Sequence, residues 1–190
     1  MVTIAPARRS DVDELAALLA HAFREDPPMQ AMLRATGDEL ERRARHVYRA
    51  LILGGPLAEG TVDVAWEDGR ILGTAIWHGP HDRGDALRSR VGMARHYLAA
   101  FGPIGVWRAL TVQRAVDACR PDAPHWYLHA VGVGPEARGK GVGSRLLSYR
   151  LTVADAEGVP VYLESSTADT GRLYARHGFV SQGPIEAWPD

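Results

Sequence analysis

Two rhythms of apolar and polar positions run along this 190-residue chain. From Asp11 to Phe23 the residues Leu15, Leu18, Leu19 and Phe23 recur at helical spacing, which predicts an amphipathic helix. Ser10, with Asp13 three positions on, reads as its start, and Asp26-Pro27-Pro28 reads as its stop. "DELERRARHVYRALIL" predicts a second helix that runs to Gly54-Gly55. Strand rhythm appears in "VTIAPA" and in "TVDVAW", which sets Val62, Val64 and Trp66 on one face. "EDGR" then turns the chain into "ILGTAIWH", a β-hairpin signature. Helical pieces follow up to Arg120, broken at Gly102-Pro103. The remainder predicts a strand ("HWYLHAVGV"), a helix ("SRLLSYRLTVADAEG"), a strand ("VPVYLESS"), a short helix ("DTGRLYARHG") and a last strand ("FVSQGPIEAW"). The order β-α-α-β-β-α-β-α-β-α-β is an α/β mixture with an antiparallel front half, read as one domain over residues 1–190.

Composition narrows the classes. A net charge of −1 without a basic run argues against a general nucleic-acid binder. The lone Cys119 excludes an internal disulfide and suits a reducing compartment. The longest apolar run, near "ALILGGPLA", is too short and glycine-rich for a membrane span, and no secretory leader is visible, so the expected location is the cytoplasm. His78, His81, His96, His125 and His177 lack metal-ligand spacing, and no metal is expected. Trp66, Trp77, Trp107 and Trp126 read as core or groove-lining residues.

The candidate chemistry lies in "GVGPEARGKGVGS". Gly134-x-x-x-x-Gly139-Lys140 is one step short of a nucleotide-binding P-loop, because Gly141 stands where a magnesium-holding hydroxyl is needed. The same residues form Arg138-x-x-Gly141-x-Gly143 between a strand and a helix. Glycines there let backbone N–H groups approach an anion at a helix N-terminus, and Arg138 and Lys140 add positive charge. That arrangement holds a pyrophosphate without magnesium, as in coenzyme A.

"VGVGPEARGKGVGSRLL" resembles the acetyl-CoA signature of the GCN5-related N-acetyltransferases, and "VPVYLESSTADTGRLYARHGFV" resembles that family's later strand and tyrosine-bearing helix. A narrower resemblance, over "CRPDAPHWYLHAVGVGPEARGKGVGS", is to puromycin N-acetyltransferase-like members. The resemblance implies the family fold: a mixed, mostly antiparallel central sheet flanked by helices and splayed at the acetyl-CoA strand. It implies direct acetyl transfer from acetyl-CoA to a small-molecule amine, with an antibiotic or an amine metabolite as the candidate acceptors. The alternatives are a protein N-terminal or lysine acetyltransferase and a non-catalytic acyl-CoA sensor.

The implied cofactor-binding set is Val131, Gly132 and Val133 on the strand, Arg138, Gly139, Lys140, Gly141, Val142, Gly143 and Ser144 in the loop and helix start, and Thr170 and Tyr174 beyond. Val133 N–H is the implied oxyanion donor, and Tyr174 the implied acid for the departing thiolate. Thr170 stands where the family has asparagine. The base stays open between Glu164, at the end of its strand, His129, two residues before Val131 and able to face the same side, and an ordered water chain. The chain ends soon after Gly178-Phe179, which leads to the expectation of an exposed sheet edge covered by its own loops or by a second copy in a homodimer.

Overall fold

The computed structural model describes residues 1–80 and 87–185, with the side chains of residues 87–92 left aside. His81 and the end of the last expected strand lie outside the described residues. One five-stranded sheet runs in the order β1 (Thr3–Pro6), β2 (Val62–Glu67), β3 (Arg70–His78), β4 (Trp126–Val133), β5 (Val161–Leu163). All neighbours are antiparallel except β4 and β5, which are parallel. The β2–β3 turn is Asp68-Gly69, both at positive φ (49° and 76°), the two-residue turn that "EDGR" predicts.

Helices cover both faces. On one lie α1 (Val12–Ala22), α2 (Pro27–Leu33) and α3 (Gly37–Leu53), with the one-turn α4 (Pro56–Glu59) behind α3. Leu15, Leu19, Leu40 and Ile52 are fully buried there against Val62, Val64 and Ile76. Each such side chain contributes about 1.5–3 kcal/mol by leaving water. Asp11, rather than Ser10 with Asp13, closes the turn before α1, because its carboxylate accepts from the Arg8 amide at 2.7 Å. Asp26-Pro27-Pro28 does more than stop a helix. Asp26 caps α2 by accepting from Met29 N–H at 3.0 Å, and the two prolines occupy the first turn, where no N–H is missed.

The second face carries α6 (Val142–Glu157) and α7 (Ala168–Ala175) over Trp77, Trp126 and Leu128. Arg150 of α6 grips Asp63 of β2 through two prongs of 3.0 and 2.6 Å, both groups buried. Removing one partner of such a pair costs about 3–5 kcal/mol, so the middle of α6 is firmly anchored to the sheet. Between β3 and β4 runs α5 (Leu87–Asp117), which packs on α3 and breaks at Gly102 (φ 63°), where the sequence predicts a break. Trp107 on α5 is 74% exposed and so lies outside the core, while Trp77 and Trp126 are buried. The described part of the expected last strand, residues 179–185, forms no strand.

Candidate acyl-transfer site between β4 and β5

The opening in the sheet comes from a short β5. It pairs with β4 only at Trp126, Tyr127 and Leu128, so among the described residues β4 beyond Leu128 has no partner on that edge. On its other edge β4 stays paired with β3, from Tyr127 opposite His78 to Val133 opposite Gly73. The register slips once: Trp77 pairs with Leu128 and Ile76 with Ala130, which leaves His129 as the extra residue of a bulge.

The bulge decides which groups face the opening. Gly134 N–H donates to Leu72 O of β3 at 2.8 Å. By the alternation of a strand, Gly132 also turns its amide to β3, and Val131 and Val133 turn theirs to the open edge. Val133 N–H is therefore free to meet a developing oxyanion. Gly132 is not available in that way. Its carbonyl lies against β3, 2.8 Å from where a Cβ on Gly73 would sit, and a Cβ on Gly132 would meet Leu19 at 2.7 Å. It is glycine because α1 packs directly on the strand.

The same bulge corrects the orientation of His129. Val131 and Val133 pack on the α6 face. The His129 ring instead stands with Tyr127 and His78, at centroid distances of 5.4 and 5.6 Å. Burial, helped by His78 and the Arg120 cation, pulls its pKa down to about 3. A ring so hard to protonate is a poor proton acceptor.

Glu164 follows β5 directly, at the point where the strands part. Its Oε2 accepts from Tyr127 Oη at 2.7 Å. Burial pushes its pKa up, against the lowering effects of Tyr127 and Arg120. A carboxyl with raised affinity for protons at this opening can serve as a general base. Tyr174, on α7, lies on the other face among the α6-side core, its ring edge-on to Phe179 at 5.9 Å. Burial and the nearby charge of Asp26 push its pKa up to about 12, so the phenol is protonated throughout the neutral range.

The glycine loop precedes α6. Gly139 and Gly141 sit at φ 73° and 75°, and no protein atom lies within 4 Å of a Cβ built on either. Val142, Gly143 and Ser144 begin the helix, and among the described residues no backbone carbonyl accepts from their amides. Arg138 and Lys140 are exposed beside them. These features fit the pyrophosphate of acetyl-CoA: free amides, open space above glycine, and positive charge. A cleft of about 610 Å³ on the outer side of this loop, lined by Glu67, Asp68, Glu136, Arg70 and Lys140, is too acidic for that anion. Thr170 has a local task, since its hydroxyl and that of Thr167 close a reciprocal cap on α7 and it also meets Ser165 Oγ at 2.7 Å. Arg120 and Tyr127 were not singled out from sequence. Their partner in space is 37 or more positions away, and only the β4–β5 register brings them together.

Residues 21–179 match the model of the acetyltransferase (GNAT) family. An uncharacterized N-acetyltransferase of Schizosaccharomyces pombe is 28% identical over 183 residues, covering 92% of this chain and 73% of that protein. A solved structure from Corynebacterium glutamicum, described as histone acetyltransferase HPA2 and related acetyltransferase, is 29% identical with a TM-score of 0.71, covering 96% of this chain and 86% of that one. The Drosophila melanogaster polyamine N-acetyltransferase that forms N-acetylagmatine shares the fold at 22% identity, with a TM-score of 0.61 and coverage of 94% and 82%.

Proposed function

Because the chain belongs to the acetyltransferase (GNAT) family, we propose that it transfers acetyl from acetyl-CoA directly to the amine of a small molecule, with Glu164 as base and Tyr174 assisting the leaving sulfur. One observation carries this reading. Glu164 stands at the gap where β4 loses β5, with Tyr127 and Arg120 beside it, and Tyr174 packs on the α6 side of the sheet. An amine can then approach from the Glu164 face while the thioester lies along the open edge of β4.

Acetyl-CoA supplies the activated acyl group. The residues of the chain do the rest. The Arg138–Ser144 loop holds the pyrophosphate, and Val131 and Val133 offer backbone groups along the edge. Val133 N–H stabilises the carbonyl oxygen as it gains charge. Glu164 takes the amine proton. The Tyr174 hydroxyl hydrogen-bonds to the departing sulfur. Its pKa of about 12 exceeds the roughly 8.5 of a thiol, which favours hydrogen-bond donation over complete proton transfer.

The narrower resemblance to puromycin N-acetyltransferase-like members makes an antibiotic amine one candidate acceptor. The 29% likeness to the Corynebacterium glutamicum structure supports a second reading, lysine acetylation. Thiol release from acetyl-CoA, measured with agmatine, an arylalkylamine, puromycin, a lysine-containing histone-tail peptide and a peptide with a free N-terminus, separates them. Saturable turnover with a small amine is expected. Turnover confined to peptides would replace the small-molecule reading, and CoA binding without any turnover would leave a sensor.

A further inference from the structure

A compact polar cluster surrounds Glu164. Tyr127 of β4 donates to its Oε2 at 2.7 Å. Arg120, on the segment between α5 and β4, lays its guanidinium carbon 3.7 Å from the centre of the Tyr127 ring. Its Nε approaches Glu164 Oε1 at 3.7 Å, and its Nη1 lies 3.0 Å from Asp117. The Tyr127–Tyr162 rings stack at 6.3 Å on the neighbouring strand.

The bonding within this cluster is incomplete. Among the described residues, Glu164 Oε1 and both Nε and Nη2 of Arg120 are buried without a hydrogen-bond partner. The 3.7 Å gap between Nε and Oε1 is too long for a hydrogen bond. An unpaired buried polar group is costly, and apolar side chains of similar volume would often pack as stably as a buried ion pair. Stability is therefore a weak reason for this arrangement.

We infer that Tyr127 and Arg120 are positioning residues for acetyl transfer, Tyr127 fixing the Glu164 carboxylate through one oxygen and Arg120 setting a positive charge against the other. The inference rests on the proposed role of Glu164 as base. As the amine nitrogen bonds to the acyl carbon and the carbon–sulfur bond breaks, the amine proton passes to Glu164. The thiolate leaves with the Tyr174 hydrogen bond and takes a proton from solvent, to which Glu164 returns its own.

Burial alone raises the proton affinity of Glu164, and Tyr127 and Arg120 oppose it. The other groups that face this cluster are Tyr162 and Cys119, Asp117 behind Arg120, His129, held neutral by burial, and His78. Taking away the Tyr127 hydroxyl or the Arg120 charge leaves burial less opposed, so the base should work only at higher pH.

The test is the pH dependence of kcat/KM of the full chain, with an amine that turns over, for wild type, Tyr127→Phe, Arg120→Gln, Arg120→Lys and Glu164→Gln. The acid limb should move up by about one pH unit in Tyr127→Phe and Arg120→Gln, a tenfold change in proton affinity. Arg120→Lys, which keeps the charge, should recover most of the shift. KM for acetyl-CoA should stay within about threefold. Should Arg120→Gln melt below the assay temperature, Tyr127→Phe and Arg120→Lys decide on the same readout. If the limb is unmoved while Glu164→Gln loses activity, the positioning roles are wrong and the base assignment stands. If Glu164→Gln turns over as wild type, both fall.

Discussion

Trp126 and Val133, seven residues apart on one strand, turn their amides to the same edge of β4. Trp126 N–H donates across that edge to Pro160 O at 2.9 Å, and Val133 faces the same side beyond the end of β5. An odd spacing forbids this in a regular strand, where successive amides alternate. The bulge at His129 supplies the missing step. The backbone of His129 thus matters more than its ring, which is held neutral.

His129→Gln keeps the extra residue and removes the imidazole. We expect kcat/KM to stay within about tenfold of wild type, because losing a true general base costs roughly 10²–10⁴-fold. Steady-state kinetics at saturating acetyl-CoA checks this. A loss of a thousandfold in a folded variant would restore the ring to the mechanism.

Gly143 tests the anion loop without straining the fold. Its φ is not in the left-handed region, and a Cβ there would meet only Val133 Cγ2, at an ordinary 3.6 Å. Gly143→Ala should therefore fold at least as well, since alanine is favoured over glycine in a helix by roughly 0.5–1 kcal/mol. Acetyl-CoA affinity by calorimetry should nonetheless fall at least tenfold, as the methyl group intrudes where the pyrophosphate approaches. Gly141 is a less clean probe, because its φ of 75° penalises any side chain. Unchanged affinity in Gly143→Ala would move the anion elsewhere.

Much of this arrangement is legible in the sequence. The glycine loop, the β2–β3 hairpin and the break at Gly102 all rest on local backbone chemistry, and each lies where the pattern predicts. The bulge was not legible, because "HWYLHAVGV" is apolar over most of its length and nothing within β4 marks the slipped register with β3. It changed the reading of Gly132 and His129 alike. Tyr127 and Arg120 escaped for another reason: their partner Glu164 belongs to a different element, and composition carries no trace of that contact.

The α3–α5 packing should be sensitive to acid. His46 and His96 meet through their Nδ1 atoms at 3.3 Å, with Arg49 and Arg95 nearby and the Asp13 charge opposing them at His96. Burial, then the neighbouring cations, lowers both pKa values below the usual 6.5. The unfolded chain thus binds protons that the folded chain refuses. This stability is present above about pH 6.5 and is lost as pH falls through the folded values. The melting temperature should drop as pH falls below about 6.5 in wild type, and drop less in His96→Gln. Parallel curves would remove the pair from the account.

The most direct test of the central claim is Tyr174→Phe. The ring remains among the α6-side core, so acetyl-CoA affinity should change little. The hydrogen bond to the departing sulfur is lost, and turnover with saturating amine should slow by roughly 10²–10³-fold. Affinity and single-turnover rate must be measured separately on the same preparation. A rate within a few-fold of wild type, with acetyl transfer itself limiting, would contradict the account and leave Tyr174 as a packing residue.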